Sequence, residues 1–235
     1  MIRIEQLEKS YRLQGQTKLI LQIPYWSVAE GERIALLGPS GSGKSTLLHL
    51  IGGVLPVDRG ELQVCGSKVS GMNEAERDAF RAANIGYIFQ DFHLIPALTA
   101  RQNVEMVLGG PADRRSRMQQ LKEWFSRVGL AEQMDHLPSQ LSRGQQQRVA
   151  IVRALINRPP LILADEPTGS LDWETGGLVM KLLLDLCEQE GLTLLAVTHD
   201  LYHARLFPKT VPISDMNRLL QSADGLAVAA GRGER

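Results

Sequence analysis

Leu36-Leu37-Gly38-Pro39-Ser40-Gly41-Ser42-Gly43-Lys44-Ser45-Thr46 follows an apolar run that begins at Ile34 and leads into an apolar-periodic segment that reaches Ile51. The order is strand, glycine loop, helix, and it predicts an α/β fold organised around a phosphate site. The spacing G-x-x-x-x-G-K-[ST] has a physical reason at each place. Glycines let successive backbone N–H groups from Gly41 to Thr46 turn inward on an anion. The helix that follows aims the positive end of its dipole at the same point. Lys44 adds a mobile full charge for the outer phosphates, and the Ser45 hydroxyl suits Mg²⁺, a hard cation that prefers oxygen. The alternative is a glycine-rich turn with no ligand. By accident the pattern arises in roughly one chain of this size in a hundred, and more rarely between a strand and a helix.

The 235 residues, 43% hydrophobic and 22% charged, suffice for a substantial core in one domain or two closely joined lobes. Lys plus Arg equals Asp plus Glu at 26 each, so no global basic field attracts nucleic acid or anionic membrane. Cys65 and Cys187 have no C-x-x-C spacing. They suggest neither a disulfide framework nor a zinc site, and are expected to be two buried reduced thiols. The opening Met1-Ile2-Arg3-Ile4-Glu5-Gln6 lacks the apolar core of a signal peptide, and no apolar run reaches the length of a membrane span. A cytosolic chain that meets the membrane only through a partner is expected.

Along the chain, 2–7 and 19–23 read as short strands of an N-terminal antiparallel sheet, with Tyr11 just beyond the first. Tyr11 offers a flat face for an adenine ring, although a half-exposed strand tyrosine has the same appearance. Glu61 to Val64 reads as a strand, Glu74 to Ala82 as a helix, and Ile85 to Phe89 as an apolar strand ending at the amide of Gln90. From Asp91 to about Pro160 the texture is helical. Thr99 and Gln102 form a capping-box pattern, Met118, Leu121, Phe125 and Val128 share a helical face, and a longer helix runs from Arg143 to Ile156. Leu161 to Ala164 and Leu192 to Val197 then read as buried strands around a helix from Leu178 to Glu190, stopped by Gly191. Ala223 to Arg235 has the composition of a loose tail.

Strands separated by helices make a parallel sheet, so Gly38, Gln90, Asp165 and His199 all follow strand ends at one rim. Hydrolysis of a nucleoside triphosphate needs neutralised phosphates, a held Mg²⁺ and an oriented water. Asp165 suits the metal shell, Glu166 can orient or deprotonate the water, Gln90 can reach metal or water, and His199 can donate to the γ-phosphate. A lone Asp-Glu pair is usually a solvated turn and a lone histidine usually structural, but the shared rim favours the functional reading for Asp165 and Glu166. The roles of Gln90 and His199 stay open.

Leu141-Ser142-Arg143-Gly144-Gln145-Gln146-Gln147-Arg148 opens the long helix. Ser142 and Gln145 fit a capping box, yet a serine hydroxyl and a glycine at a helix start also make a second anion site. A cap alone leaves the glutamines behind it unexplained.

With these residues the chain resembles the nucleotide-binding subunits of ATP-binding cassette (ABC) transporters over nearly its whole length. Gly38 to Thr46 match the Walker A motif, Gln90 the Q-loop, Leu141 to Gln145 the signature, Leu161 to Glu166 Walker B with its catalytic glutamate, Ser170-Leu171-Asp172 the D-loop and His199 the switch histidine. Within the family, Ile85 to Thr99, Gln145 to Ala150 and Ala164 to Asp172 look most like the lipoprotein-release, macrolide-export and cell-division group. The resemblance implies a P-loop core of mainly parallel sheet with an N-terminal antiparallel subdomain and an inserted helical subdomain. One ABC ATPase domain then spans 1–235, with its core at 1–90 and 161–220, its helical part at 91–160 and a tail at 223–235.

The resemblance also implies ATP and Mg²⁺ as cofactors, a homodimer in which Ser142, Arg143, Gly144 and Gln145 act in trans on the other copy's phosphates, and Tyr11 against the adenine. A transmembrane permease is the implied partner, with the chain peripheral on the inner face of the cell membrane and the helical part near Gln90 to Leu98 as its contact. The apolar residues from Phe92 to Leu98 suit such a contact or local packing equally. Arg143 departs from the usual glycine of the signature, and Arg205 to Lys209 departs from the acidic-basic element expected after His199. A soluble cassette acting on nucleic acid or ribosomes and a small-molecule P-loop kinase are the alternatives. Zero net charge and a single cassette oppose the first, and the second leaves the signature and His199 unexplained.

Overall fold

The computed structural model describes residues 1–13, 15–109 and 113–221; the tail expected at 223–235 lies outside them. Two sheets form. The first is antiparallel, with strands β1 (Ile2–Leu13), β2 (Gln16–Val28), β4 (Arg59–Val64) and β5 (Ser67–Lys68) in the order β2-β1-β4-β5. The second is wholly parallel and contains β3 (Arg33–Leu37), β6 (Ile85–Ile88), β7 (Leu161–Asp165), β8 (Thr193–Thr198) and β9 (Lys209–Pro212), in the order β6-β7-β8-β3-β9. The helices are α1 (Lys44–Ile51), α2 (Glu74–Asn84), α3 (Ala100–Glu105), α4 (Arg114–Arg127), α5 (Arg143–Leu155), α6 (Trp173–Gln189) and α7 (Leu201–Ala204).

The parallel sheet is apolar on both faces because it is the middle layer, and its side chains alternate between two cores. Leu161 and Leu163 of β7, Leu195 and Val197 of β8, and Ile34 and Leu36 of β3 face one way, with Ile4, Leu21, Ile23 and Leu62 of the antiparallel sheet and Leu47 and Ile51 of α1. Ile162 and Ala164, Leu194 and Ala196, and Ala35 face the other, with Trp124 and Phe125 of α4, Val149 and Val152 of α5, and Val179 and Leu183 of α6. Each aliphatic side chain fully buried in this way contributes about 1.5–3 kcal/mol of transfer free energy.

Several expected boundaries move. The hairpin β1–β2 runs far beyond 2–7 and 19–23, and Tyr11 lies within β1, paired with Lys18. β6 stops at Ile88, so Gln90 stands in the connection beyond the strand. α6 begins at Trp173, five residues before the expected Leu178, because the Asp172 carboxylate accepts the Thr175 N–H and fixes the start there. Cys187 is buried as expected, and burial pushes its thiol up to about 12. Cys65 is only half-buried, at the edge turn between β4 and β5. Beyond His199, where the acidic-basic element is missing, the chain forms α7 and then β9, which pairs with β3 in the register Ile34 to Lys209.

The connection from Gln90 to Thr99 is held by backbone hydrogen bonds to one buried side chain. Asn103 on α3 accepts the Ile95 N–H at 2.7 Å and donates to the carbonyls of Leu98 and Thr99 at 3.0 Å and of Ile95 at 3.2 Å. Arg153 on α5 adds bonds to the Phe92 and His93 carbonyls. Ile95, Pro96 and Ala97 are left exposed while Leu94 packs on the core, so the segment divides the two uses its sequence permits. Asn103→Ala strands a buried N–H and carbonyls together and is expected to lower stability by about 3 kcal/mol; urea unfolding followed by circular dichroism measures it.

Candidate functional site

Six of the seven α-helices among the described residues start with a side-chain cap: Asn73, Thr99, Asp113, Ser142, Asp172 and Asp200 each accept a backbone N–H of the first turn. α1 starts at Gly43, which has no side chain to offer. The first-turn N–H groups of that helix have no intrahelical carbonyl within reach, so they are open to an external anion. Gly43 adopts φ 94 and Gly41 φ 78, angles that a side chain disfavours, and a Cβ on Gly43 would stand 2.8 Å from Leu21. The loop is therefore built for close approach of its backbone to a ligand.

Lys44 is buried, and its ammonium donates to the carbonyls of Gly38 at 2.8 Å and Pro39 at 2.9 Å. Ser42 closes the same loop by donating to the Pro39 carbonyl. A cavity of about 730 Å³ opens in front of it, lined by Tyr11, Ile20, Pro39 to Gly41, Gly43 to Thr46, Gln90, Asp165, Glu166 and His199. The parallel register explains this convergence: Leu36, Val197 and Asp165 share one row across β3, β8 and β7, and Glu166 and His199 follow just beyond the rim.

Within the cavity the Ser45 hydroxyl donates to the Asp165 carboxylate at 3.1 Å. Burial raises the Asp165 pKa above its ordinary value, against the Ser45 hydrogen bond and the fields of His49 and Lys44, which lower it. No group of three or more His, Cys, Asp or Glu residues able to hold a metal occurs among the described residues. The Ser45–Asp165 pair fits a divalent cation that takes its other oxygens from bound phosphates and water.

Glu166 has a left-handed backbone, φ 46, and its N–H donates to the Val197 carbonyl at 3.0 Å. That kink turns its carboxylate away from Asp165 and toward His199, whose Nδ1 lies 2.9 Å from Glu166 Oε1. Gln90 packs against Gly169, where a Cβ would stand 3.1 Å from its Nε2. Leu171 packs on the core, Asp172 caps α6, and the Ser170 hydroxyl is buried without a hydrogen-bond partner.

Ser142, Arg143, Gly144 and Gln145 do not line this cavity. Ser142 and Gln145 complete the expected capping box, with bonds of 3.2 and 2.9 Å. Gly144 is buried at the crossing of α5 with the start of α6, where a Cβ would lie 2.6 Å from the Thr175 methyl. Arg143 is exposed and sits over the Phe92 ring at 5.7 Å.

The structure also explains the glutamines and adds residues that sequence reasoning missed. Gln146 donates to the Pro138 and Leu141 carbonyls, and the buried Gln147 donates to the Pro167 carbonyl beside Glu166. His203 is buried with Nδ1 2.7 Å from Asp200 and 3.2 Å from the Thr168 hydroxyl, so it ties the segment behind Glu166 to the segment behind His199. A histidine four places after His199 on a strand-ending turn was the available signal.

The model of the ABC transporter family matches residues 21–169. The chain belongs to the ABC transporter family. It is 41% identical over 220 residues to the ABC transporter ATP-binding protein MJ0796 of Methanocaldococcus jannaschii, covering 92% of this chain and 94% of that one. It is 40% identical to the macrolide export ATP-binding/permease protein MacB of Rhodopirellula baltica over 92% of this chain but only 32% of that longer protein. Its fold matches the dimeric, post-hydrolysis structure of MJ0796 bound to ADP and Pi with a TM-score of 0.82, at 38% identity, over 92% of this chain and 94% of that one. This cassette is an ATP-binding ATPase subunit, and both expectations of family and fold hold. No helix among its described residues is long and apolar enough to cross a membrane.

The raised Asp165 pKa gives a stability test with a definite sign. A carboxyl whose folded pKa lies above its unfolded one favours the fold below the unfolded value and loses that contribution as pH rises through the folded value. At neutral pH the ionised Asp165 is therefore destabilising in the nucleotide-free protein. Asp165→Asn keeps an acceptor for Ser45 and is expected to raise the Tm of the nucleotide-free protein, while ATPase activity is lost. Differential scanning calorimetry at pH 7 with a parallel phosphate-release assay checks both.

Proposed function

We propose that two copies of this chain close head to tail on two ATP molecules and that the closure drives a separate transmembrane permease. The observation that carries the reading is the division of helix starts. α1 is uncapped and faces the cavity that holds Lys44, Asp165 and Glu166, while Ser142 and Gly144 stand at a second helix start outside that cavity. A second copy is the natural source of a Ser142 for the open side of the phosphates.

In this reading the N–H groups from Gly41 to Thr46 cradle the phosphates, and Lys44 exchanges its two carbonyl partners for the outer ones. Ser45, Asp165 and Gln90 would hold Mg²⁺, which would neutralise charge on the phosphate oxygens. Tyr11 gives the adenine a face at the mouth of the cavity. Glu166 orients and deprotonates water, His199 donates to the γ-phosphate, and Ser170 to Asp172 contact the second copy. ATP and Mg²⁺ are the cofactors.

The permease contact falls on the groove beside the exposed Ile95, where Tyr87, Phe89, His93, Met106 and Val107 line a cavity of about 580 Å³. That docking makes the chain cytoplasmic and peripheral on the inner face of the membrane. MJ0796, the relative whose dimeric cassette structure is bound to ADP and Pi, supports the self-association, and the fusion of ATP-binding and permease parts in MacB supports a membrane partner.

Glu166→Gln spares the phosphate contacts and is expected to keep ATP binding, slow turnover by about 10²-fold or more, and accumulate an ATP-bound dimer in light scattering. Parental turnover would remove Glu166 from the mechanism. Lys44→Ala is expected to lower kcat/KM for ATP by about 10²-fold or more, read by steady-state phosphate release. Co-purification of a membrane protein from detergent extract, lost on a charge substitution at Ile95, tests the permease contact.

A further inference from the structure

β1 outruns one of its two neighbours. Its pairing with β4 ends at Glu8 opposite Arg59, while its pairing with β2 continues to Leu13 opposite Gln16. Residues 9–13 therefore have a strand on one side only, and Tyr11, which lines the cavity, stands in the middle of them. Asp58, the residue just before β4, takes over where that strand stops. One oxygen of its carboxylate accepts the Ser10 N–H at 2.8 Å, as the carbonyl of a further strand residue would, and the other accepts from the Lys9 ammonium at 2.6 Å. The same ammonium, only 6% exposed as a residue, also donates to the Pro56 carbonyl at 2.8 Å.

These bonds coincide with the irregularity in the hairpin. Lys9 pairs with Leu21 but Ser10 with Leu19, so Ile20 has no opposite number and bulges from β2. A bulge adds twist and re-aims the side chains beyond it. Here the next side chain is that of Tyr11, and Ile20 itself lines the cavity with it. Asp58 grips both β1 residues that bracket the shift, one by its side chain and one by its backbone.

We propose that Asp58 is a positioning residue for the base of the nucleotide: by holding Lys9 and Ser10 it fixes the bulge, and with it the tilt of the Tyr11 ring at the mouth of the cavity. The inference rests on the reading of Tyr11 as the face for adenine. Asp58 does not itself line the cavity. It acts through the backbone of β1, and it anchors the Lys9 ammonium 6.0 Å from the centre of the Tyr11 ring, at the limit of a cation–π contact. A two-stranded ribbon is marginal on its own, so the end of β1 needs a partner on its open side. A ring already held in one pose loses little freedom when a base stacks on it.

ADP carries the base without being hydrolysed and pyrophosphate lacks it, so titrating each into the whole chain with Mg²⁺ separates the base from the phosphates. Tyr11→Ala is expected to raise the Kd for ADP about tenfold in isothermal titration calorimetry, and Asp58→Ala about fivefold, with the Kd for pyrophosphate unchanged in both. In the Tyr11→Ala background Asp58→Ala should cost nothing further, because it acts only through the ring. Asp58→Asn retains the volume and one acceptor oxygen; it should raise the ADP Kd about twofold, and it supplies the measurement if the alanine variant does not fold.

Parental ADP affinity in a folded Asp58 variant while Tyr11→Ala is weakened, an equal loss for pyrophosphate, or a loss that adds to that of Tyr11→Ala overturns the inference and leaves Tyr11 against the adenine. Parental ADP affinity in Tyr11→Ala overturns that reading itself, and the inference with it.

Discussion

A helix without a cap is the constraint on which the rest of this structure depends. The N-terminal N–H groups of α1 are unsatisfied by any side chain, and the buried ammonium of Lys44 beside them has backbone carbonyls but no carboxylate as partners among the described residues. A site that concentrates positive potential in this way is unfavourable alone and becomes favourable only when an anion of high charge enters. The fold tolerates it because α1 is pinned from behind by Leu47, Leu48, Leu50 and Ile51, all fully buried. Packing on one side of the helix holds open an electrostatic deficit on the other. Asp165 carries the opposite imbalance on the facing strand end, a carboxylate whose charged form burial disfavours.

Parallel strands are what bring these groups together. Consecutive strands of one direction deliver their C-terminal ends to one rim, so chemistry far apart in sequence converges without any local signal linking it. The register across β3, β8 and β7 does this within one row. The strand ends then diverge by backbone geometry. Glu166 turns into the left-handed region and aims at His199, while Asp165 keeps the strand direction and meets Ser45. Two adjacent acids with the same chemistry thereby acquire different neighbours.

This division also explains what was legible in the sequence. β7 and β8 read clearly because both faces are buried and, up to Asp165, every residue is apolar or a threonine. The hairpin β1–β2 read as two short fragments because its outer half is a solvent-facing ladder of Gln16, Thr17 and Lys18 against Arg12 and Tyr11, with a register shift after Lys9 that breaks the alternation. The first turn of α6 was missed because Gly176 and Gly177 look like breakers; Gly176 is there because a Cβ would strike the His203 ring at 2.9 Å. β9, with a terminal proline and a single half-buried residue, offered almost no hydrophobic pattern, and its place is fixed by pairing with β3. The loop from Gly38 to Gly43 was legible as a connection from strand to helix because its glycines stand between an apolar strand and an apolar-periodic helix. Gln147 and His203 were not, since a buried amide or imidazole is specified by a distant partner, here Pro167 in one case and Thr168 and Asp200 in the other.

The signature helix shows how one residue can satisfy two demands that look like rivals. A serine hydroxyl has one proton to donate and two lone pairs to accept with. In Ser142 the cap uses a lone pair, since the hydroxyl oxygen accepts the Gln145 N–H, and the cap leaves the hydroxyl proton unused. Capping fixes the oxygen in place, which lowers the entropy lost when a ligand arrives. Gly144 serves the packing alone here, since its missing side chain admits the Thr175 methyl. Arg143 occupies the one position of the three that neither demand reaches, exposed and resting over Phe92. A bulky cation there is compatible with the cap and with the α5–α6 crossing, and its contact with Phe92 fastens the signature helix to the segment that follows Gln90.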